Sequence, residues 1–112
     1  MKTFEIYFWQ PSGANWREPH PCVVISHPDR AQRKDPVEVI IGSSQRANRS
    51  AEETEFILDA EDGLSWATIF KCDLIYAVPK GLLGASRGSV TANRRGPLLR
   101  RILAAHGWAA WF

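Results

Sequence analysis

The strongest constraint on the fold is a series of short apolar segments, separated by polar loops that contain Pro, Gly or Asn. The segments are rich in β-branched and aromatic residues, which suit the pleated, half-buried surface of a β-sheet. They span residues 4–9, 22–26, 37–44, 54–58 and 68–78, and residues 79–90 leave room for one further short strand. We therefore expect five to seven strands at close spacing, which favours a small, mostly antiparallel barrel.

A different pattern follows in the segment GPLLRRILAAHG, residues 96–107. Its apolar side chains fall on one face of a helix: Leu98, Leu99, Ile102 and Leu103. Pro97 is expected to be the first helical residue and Gly107 to end the helix, because these residues favour those positions. The predicted fold is mostly β, with this α-helix after the strands.

Size and charge limit the classes of protein to which the chain can belong. A chain of 112 residues with 45% hydrophobic residues forms one globular domain, residues 1–112. Its 14 Lys and Arg against 12 Asp and Glu give a net charge of +2, so nucleic-acid binding would need a local patch. The arginine cluster QRANR at 45–49 and the acid-rich stretch at 51–62 are each most simply interpreted as solvated surface.

The cysteines and the first residues indicate the cellular compartment. Cys22 and Cys72 lie in separate strand-like runs without metal-ligand spacing, so we expect reduced, buried thiols and no metal or other cofactor. MKTFEIYFW lacks the features of a secretory signal, and no window reaches membrane-spanning length. These patterns favour a cytoplasmic protein with no membrane partner.

The stretch PHPCVVISHP, residues 19–28, places a strand between two His-Pro pairs. Proline lacks a backbone N–H, so Pro21 and Pro28 are expected to mark where strand pairing begins and ends. His20 and His27 then lie at the two ends of the strand. Imidazole titrates near neutral pH, which makes each a candidate acid or base, although His27 in SHPDR is better explained as a turn residue.

Four segments together resemble the PemK/MazF family of type II toxins. PHPCVVISHP is similar to the family's "RPALVIS" strand, IIGSSQRA to its strand ending in Thr or Ser, and KCDLIYAVPKGLL to its "CDQIRTVDKxRL" segment. RGSVTANRRGPLLRRILAAHG takes the place of the closing strand and helix. The order and spacing of the four agree over nearly the whole chain. The resemblance implies an SH3-like barrel, a homodimer and metal-independent cleavage of RNA.

The resemblance also implies a set of catalytic positions. The family's catalytic arginine before the strand-two proline is replaced by His20, and its catalytic threonine is matched by Ser43. Lys71 stands where some members have arginine, and Asp73 is retained. We expect His20 to act as acid or base, Ser43 and Lys71 to contact the phosphate, and Asp73 to orient a neighbour. Alternatively, Lys71 and Asp73 form a structural ion pair on one face of their strand.

Four further residues are candidate contacts to the substrate: Trp16, Arg17, Ser44 and Arg46. Trp16 could stack on an unpaired base, as aromatic residues do in single-strand binders, or could instead cover one end of the barrel. Arg17 could stabilise the charge that develops on a phosphate. Ser44 could donate to a phosphate oxygen or only cap a turn.

The sequence therefore predicts the toxin of a type II toxin–antitoxin system, an endoribonuclease that acts on single-stranded RNA and is inhibited by a cognate antitoxin. Two alternatives remain open. The ending HGWAAWF, with Trp108, Trp111 and Phe112, is compatible with a CcdB-like gyrase-binding toxin of the same fold. Loss of the family arginine at position 20 is compatible with a catalytically inactive binding module. The three aromatic residues are expected to pack at a dimer interface or across the barrel's end.

Overall fold

The computed structural model describes residues 1–10 and 18–112, and six strands lie within them. They are β1 Glu5–Trp9, β2 His20–Val24, β3 Val37–Gly42, β4 Glu55–Leu58, β5 Thr68–Val78 and β6 Ser86–Ser89. The segments expected from the sequence are all present. Strand β2 starts and ends two residues earlier than predicted, and β3 ends at Gly42, before the two serines.

The six strands form one curled sheet in the order β4-β5-β3-β2-β1-β6. Each hydrogen-bonded pair is antiparallel. The predicted fold class, a small and mostly antiparallel barrel of five to seven strands with a C-terminal α-helix, is confirmed, with the sheet curled into a half-barrel.

Among the described residues, two α-helices accompany the sheet: α1 Pro28–Arg33 and α2 Ala92–Ala105. Helix α1 lies in a segment that the sequence pattern predicts to be a polar loop, and Pro28 starts this helix rather than marking the end of strand β2. Helix α2 begins before the predicted start, so Pro97 lies inside it. Gly107 follows the helix with a left-handed φ of 70°, as expected for a stop residue.

The sheet buries apolar side chains on both faces because neighbouring strand residues point in opposite directions. On one face, a cluster that includes Val23, Ile40 and Phe70 packs against Leu98 and Ile102 of α2. On the other face, the members are Trp9, Cys22, Val24, Ala31, Val37, Val39 and Val78, with Ala31 contributed by α1. The C-terminal helix therefore covers one face and the short helix part of the other.

A 3₁₀ turn at Ala60–Asp62, after β4, approaches strand β6 and so draws the two edges of the sheet together. A Cβ at Gly88 would lie 2.2 Å from the Asp62 carbonyl oxygen, so the contact requires glycine. The buried Asp62 carboxylate accepts the backbone N–H of Thr91 at 2.9 Å and binds Arg94 at 2.6 Å. This ion pair joins the beginning of α2 to the turn.

The C-terminal aromatic residues do not pack across the end of the barrel. Trp111 and Phe112 are 85% and 94% exposed, while Trp108 stacks on His106 with ring centroids 4.3 Å apart. The predicted packing within the chain is therefore wrong for Trp111 and Phe112, and the dimer alternative stays a prediction. Within residues 1–10 and 18–112, no helix has the length and apolarity needed to cross a membrane.

Candidate active site

A cavity of about 530 Å³ lies where the ends of β2 and β3 meet the middle of β5. The loop at 43–49 supplies much of its polar wall. Four of the predicted site residues line it: His20, Ser43, Arg46 and Lys71. Residues distant in sequence thus converge on one concave surface, and their functional groups are those expected of a site that binds an anion.

His20 is held at the edge of this cavity by a hydrogen bond that replaces a missing contact of the sheet. In the ladder between β2 and β3, Ile25 donates its backbone N–H to the Glu38 carbonyl, and hydrogen-bonded pairs recur at every second residue. Pro21 and Gly42 therefore stand opposite each other at a position where two strands normally exchange backbone hydrogen bonds. Pro21 has no N–H to donate, but His20 Nδ1 lies 2.9 Å from the Gly42 carbonyl oxygen. Because a carbonyl accepts, Nδ1 carries the proton, and in the neutral ring Nε2 is the basic nitrogen.

Ser43 and Ser44 follow β3 but face different parts of the surface. Ser43 donates its N–H to the Ile69 carbonyl at 2.9 Å, and its hydroxyl oxygen accepts the N–H of Gln45 at 3.1 Å. The hydroxyl proton of Ser43 can still be donated to a ligand in the cavity. Ser44 instead lines a smaller adjacent cavity of about 150 Å³, which Ser43 also borders.

An irregularity in β5 separates Lys71 from Asp73. Ile41 pairs with Lys71 and Val39 with Tyr76, so four residues of β5 stand opposite the single residue Ile40. Lys71 lines the cavity, whereas the exposed Asp73 is not part of its wall. The alternative for these two residues, a Lys71–Asp73 ion pair, is not among the ion pairs formed by the described residues. The role of Asp73 stays a prediction that this placement does not support.

Arg49 and Glu55 form a bidentate ion pair in the cavity wall, with N–O distances of 2.7 and 2.8 Å. The Arg49 hydrogen bonds, aided by the backbone N–H of Glu52, lower the pKa of the Glu55 carboxyl to about 2. Glu55 is therefore ionised at neutral pH and offsets the Arg49 charge. Arg46 and Lys71 are not among the described residues that form an ion pair, although Lys71 stands opposite Glu55 in the β4–β5 ladder and its charge also helps to lower the pKa of that carboxyl.

Three further residues that no sequence pattern singled out also line the cavity: Arg49, Glu55 and Tyr76. Arg49 and Glu55 lie in charged stretches interpreted as solvated surface, although only 7% of the Glu55 side chain is exposed. Two predicted contacts, Trp16 and Arg17, lie outside the described residues. Among residues 1–10 and 18–112, no group of His, Cys, Asp or Glu side chains has an arrangement that could hold a metal ion.

The two cysteines are buried free thiols away from the cavity wall. Burial raises the pKa of Cys22 to about 12 and that of Cys72 to about 11. Both thiols are therefore protonated at neutral pH and are poor nucleophiles.

Comparison with known proteins identifies the family. Residues 2–105 match the model of the PemK-like, MazF-like toxin of type II toxin–antitoxin systems. No curated protein sequence matches the chain.

Solved structures share the fold at low sequence identity. The Mycobacterium tuberculosis toxin MazF-mt6 is 20% identical, with a TM-score of 0.75 over 92% of this chain and 96% of that one. A mycobacterial endoribonuclease in complex with its cognate antitoxin is 18% identical, with a TM-score of 0.78 over 96% of this chain and 95% of that one. The family match covers nearly the whole sequence, and the chain therefore belongs to the PemK-like, MazF-like toxins of type II toxin–antitoxin systems.

Proposed function

We propose that this toxin is a sequence-selective endoribonuclease that cleaves single-stranded RNA without a metal ion. The observation that carries the proposal is the position of His20, whose imidazole is fixed by the Gly42 carbonyl at the edge of a cavity lined by Ser43, Arg46 and Lys71. When the RNA's own ribose 2′-oxygen attacks the phosphate, cleavage needs a group that transfers protons and groups that stabilise charge on the phosphate. The imidazole can transfer protons, and the hydroxyl and the two cations can stabilise the charge.

The reaction is a transfer of the phosphoryl group within the RNA strand. The ribose 2′-oxygen forms a bond to the adjacent phosphorus while its proton passes to a base, and the bond from phosphorus to the 5′-oxygen breaks. That leaving oxygen takes a proton from an acid. The products are a 2′,3′-cyclic phosphate and a 5′-hydroxyl, and no redox partner or bound water is consumed.

His20 serves as the acid or base because imidazole both accepts and donates protons near neutral pH. The basic nitrogen is Nε2, since Nδ1 is occupied by Gly42. Lys71 and Arg46 stabilise the charge on the non-bridging phosphate oxygens, and the Ser43 hydroxyl donates to one of them. His20 would thus supply proton transfer at the position where the family's arginine stands.

The partners follow from membership of the family. We propose that a cognate antitoxin binds the toxin and suppresses cleavage, as a neighbouring structure of an endoribonuclease with its antitoxin suggests. A homodimer and a cytoplasmic location belong to the same proposal, because the family resemblance implies the first and cellular RNA is the substrate.

The proposal is tested by incubating the purified toxin with a long single-stranded RNA in EDTA and mapping the fragment ends. We expect cuts at a recurring short sequence, with a cyclic phosphate on one fragment and a 5′-hydroxyl on the other. Co-purified antitoxin should suppress the cuts. Intact RNA after prolonged incubation, with a correctly folded toxin, would favour the inactive binding module.

A further inference from the structure

Trp66 is a large apolar side chain that is not buried in the core. It lies in the segment between the 3₁₀ turn at Ala60–Asp62 and strand β5, and it is 40% exposed. Its near neighbour Leu64 is buried at 6% exposure and supplies the apolar anchor of the same segment. Packing of the core therefore does not explain why a tryptophan occupies position 66.

Hydrogen bonds at Trp66 and at the next residue anchor the backbone that carries the indole. The Thr68 hydroxyl donates to the Trp66 carbonyl at 3.0 Å, and the Ala47 N–H donates to the Ala67 carbonyl at 2.8 Å. The second bond joins the Trp66 segment to the loop at 43–49 that forms the wall of the active-site cavity. An aromatic surface positioned in advance loses little conformational entropy when a ligand stacks on it.

Arg46 connects the indole to the active site. Its guanidinium carbon lies 5.6 Å from the centroid of the Trp66 ring, a cation–π arrangement, and the same residue lines the active-site cavity. Trp66 lines the smaller cavity beside it, and Ser43 borders both cavities. A strand of RNA in the catalytic cavity would therefore meet this indole at the adjacent position.

The chemistry of the pair fits one kind of ligand. An exposed indole offers a flat apolar face for a nucleobase, and the neighbouring guanidinium offers charge and donors for a phosphate of the same nucleotide. Stacking requires a base that is not paired, so such a subsite selects single-stranded RNA. We propose that Trp66 and Arg46 form a subsite that binds one unpaired nucleobase next to the scissile phosphate. This inference rests on the proposed ribonuclease function.

The test uses short single-stranded RNAs that span a mapped cut, each with one base removed at a different position. With the wild-type toxin, removal of the stacked base should raise KM roughly 5- to 150-fold, the loss expected for one base–aromatic stack. Trp66→Ala should raise KM of the intact RNA by a similar factor and leave kcat little changed. Trp66→Phe should recover part of the loss, and Leu82→Ala, which removes an exposed apolar side chain outside both cavities, should match the wild type.

The decisive result is the combination of the two changes. In Trp66→Ala, removing the base at that one position should cost nothing further, because its stacking partner is already gone. Independent losses, or an unchanged KM in Trp66→Ala, would overturn the subsite. If Trp66→Ala lost affinity for the antitoxin and not for RNA, the indole would belong to the antitoxin interface and the proposal would be wrong.

An RNA with a 2′-deoxyribose at the cut lacks the attacking 2′-oxygen and so is not cleaved. Binding of this RNA therefore tests the subsite separately from the proposed cleavage. A toxin that binds this RNA in a Trp66-dependent manner but cleaves no RNA would contradict the ribonuclease proposal and retain the subsite. A toxin that cleaves RNA with no dependence on Trp66 would contradict the subsite alone.

Discussion

The imidazole of His20 donates through Nδ1 to the carbonyl oxygen of Gly42, 2.9 Å away, at the point where Pro21 cannot continue the ladder between β2 and β3. One bond therefore satisfies a carbonyl at the end of the ladder and fixes which ring nitrogen is basic. The flanking Pro19 and Pro21 restrict the backbone and so reduce the entropy lost in holding the ring.

Gly42 should be intolerant of a side chain. A Cβ at this position would lie 2.7 Å from the ring of the buried Phe70, so Gly42→Ala must displace strand or ring. We expect a loss of about 1–3 kcal/mol in the free energy of unfolding, measured by urea denaturation. Gly81→Ala is the control, since a Cβ there meets nothing within 4 Å. Equal stability of the two variants would contradict the close packing at Gly42.

Arg94 should be essential for stability, because it neutralises a carboxylate that is removed from water. The Asp62 side chain is 0% exposed and binds Arg94 at 2.6 Å. Arg94→Ala leaves this charge uncompensated, and we expect a loss of roughly 3 kcal/mol in the free energy of unfolding. Arg33→Ala, which removes an exposed ion pair with Asp29, should change little. Similar unfolding curves for both variants would show that the buried pair is unimportant.

Glu55 should make stability depend on pH in the acid range. Its pKa is lowered from 4.5 to about 2 by Arg49, so the pair's contribution is fully present above about pH 4.5 and is lost as pH falls toward 2. Glu55→Gln should be less stable than the wild type at pH 7, and the difference should shrink at pH 2–3. Urea midpoints across this range measure the effect, with the exposed Glu53→Gln as control. A difference that does not vary with pH would contradict the ion-pair account.

Lys71 should contribute to RNA affinity through charge. We expect Lys71→Ala to weaken binding of uncleavable single-stranded RNA and to reduce the slope of log affinity against log salt by about 0.7, one phosphate contact. Lys34→Ala removes an equal charge at the exposed end of α1 and should leave the slope unchanged. If both variants lower the slope equally, Lys71 acts through the overall field rather than by contact.

The sequence was sufficient to place the strands, because β-branched and aromatic runs bounded by Pro, Gly and Asn are a local signal. The start of helix α2 was misplaced because its first turn is set by Asp62, which lies 29 positions before Thr91 and accepts the Thr91 N–H. The charged stretches were misinterpreted for the same reason. Glu55 and Asp62 are buried against arginines that only the folded chain brings near.

The candidate site was predicted in part. His20, Ser43 and Lys71, which the family resemblance implies for one site, line a single cavity together with the candidate Arg46. Asp73 lies apart because the irregularity opposite Ile40 breaks the simple alternation of β5. Trp66 was missed because no local pattern distinguishes an exposed tryptophan in a turn from one that covers the core.

The role of His20 is tested most directly by comparing His20→Ala and His20→Asn with the wild type across pH in single-turnover cleavage of a mapped RNA. Asparagine keeps an N–H that can donate to the Gly42 carbonyl but cannot exchange a proton with the substrate. We expect both variants to fold and to bind uncleavable RNA. Their cleavage rates should fall roughly 10²- to 10⁴-fold, and their pH–rate profiles should lack one ionisation that the wild-type profile shows.

The matched control is His27→Asn, which keeps a cap for α1 and should cleave at the wild-type rate. If His20→Asn cleaves RNA at the wild-type rate with the wild-type pH profile, His20 has only a structural role at the end of strand β2, and the central claim is wrong.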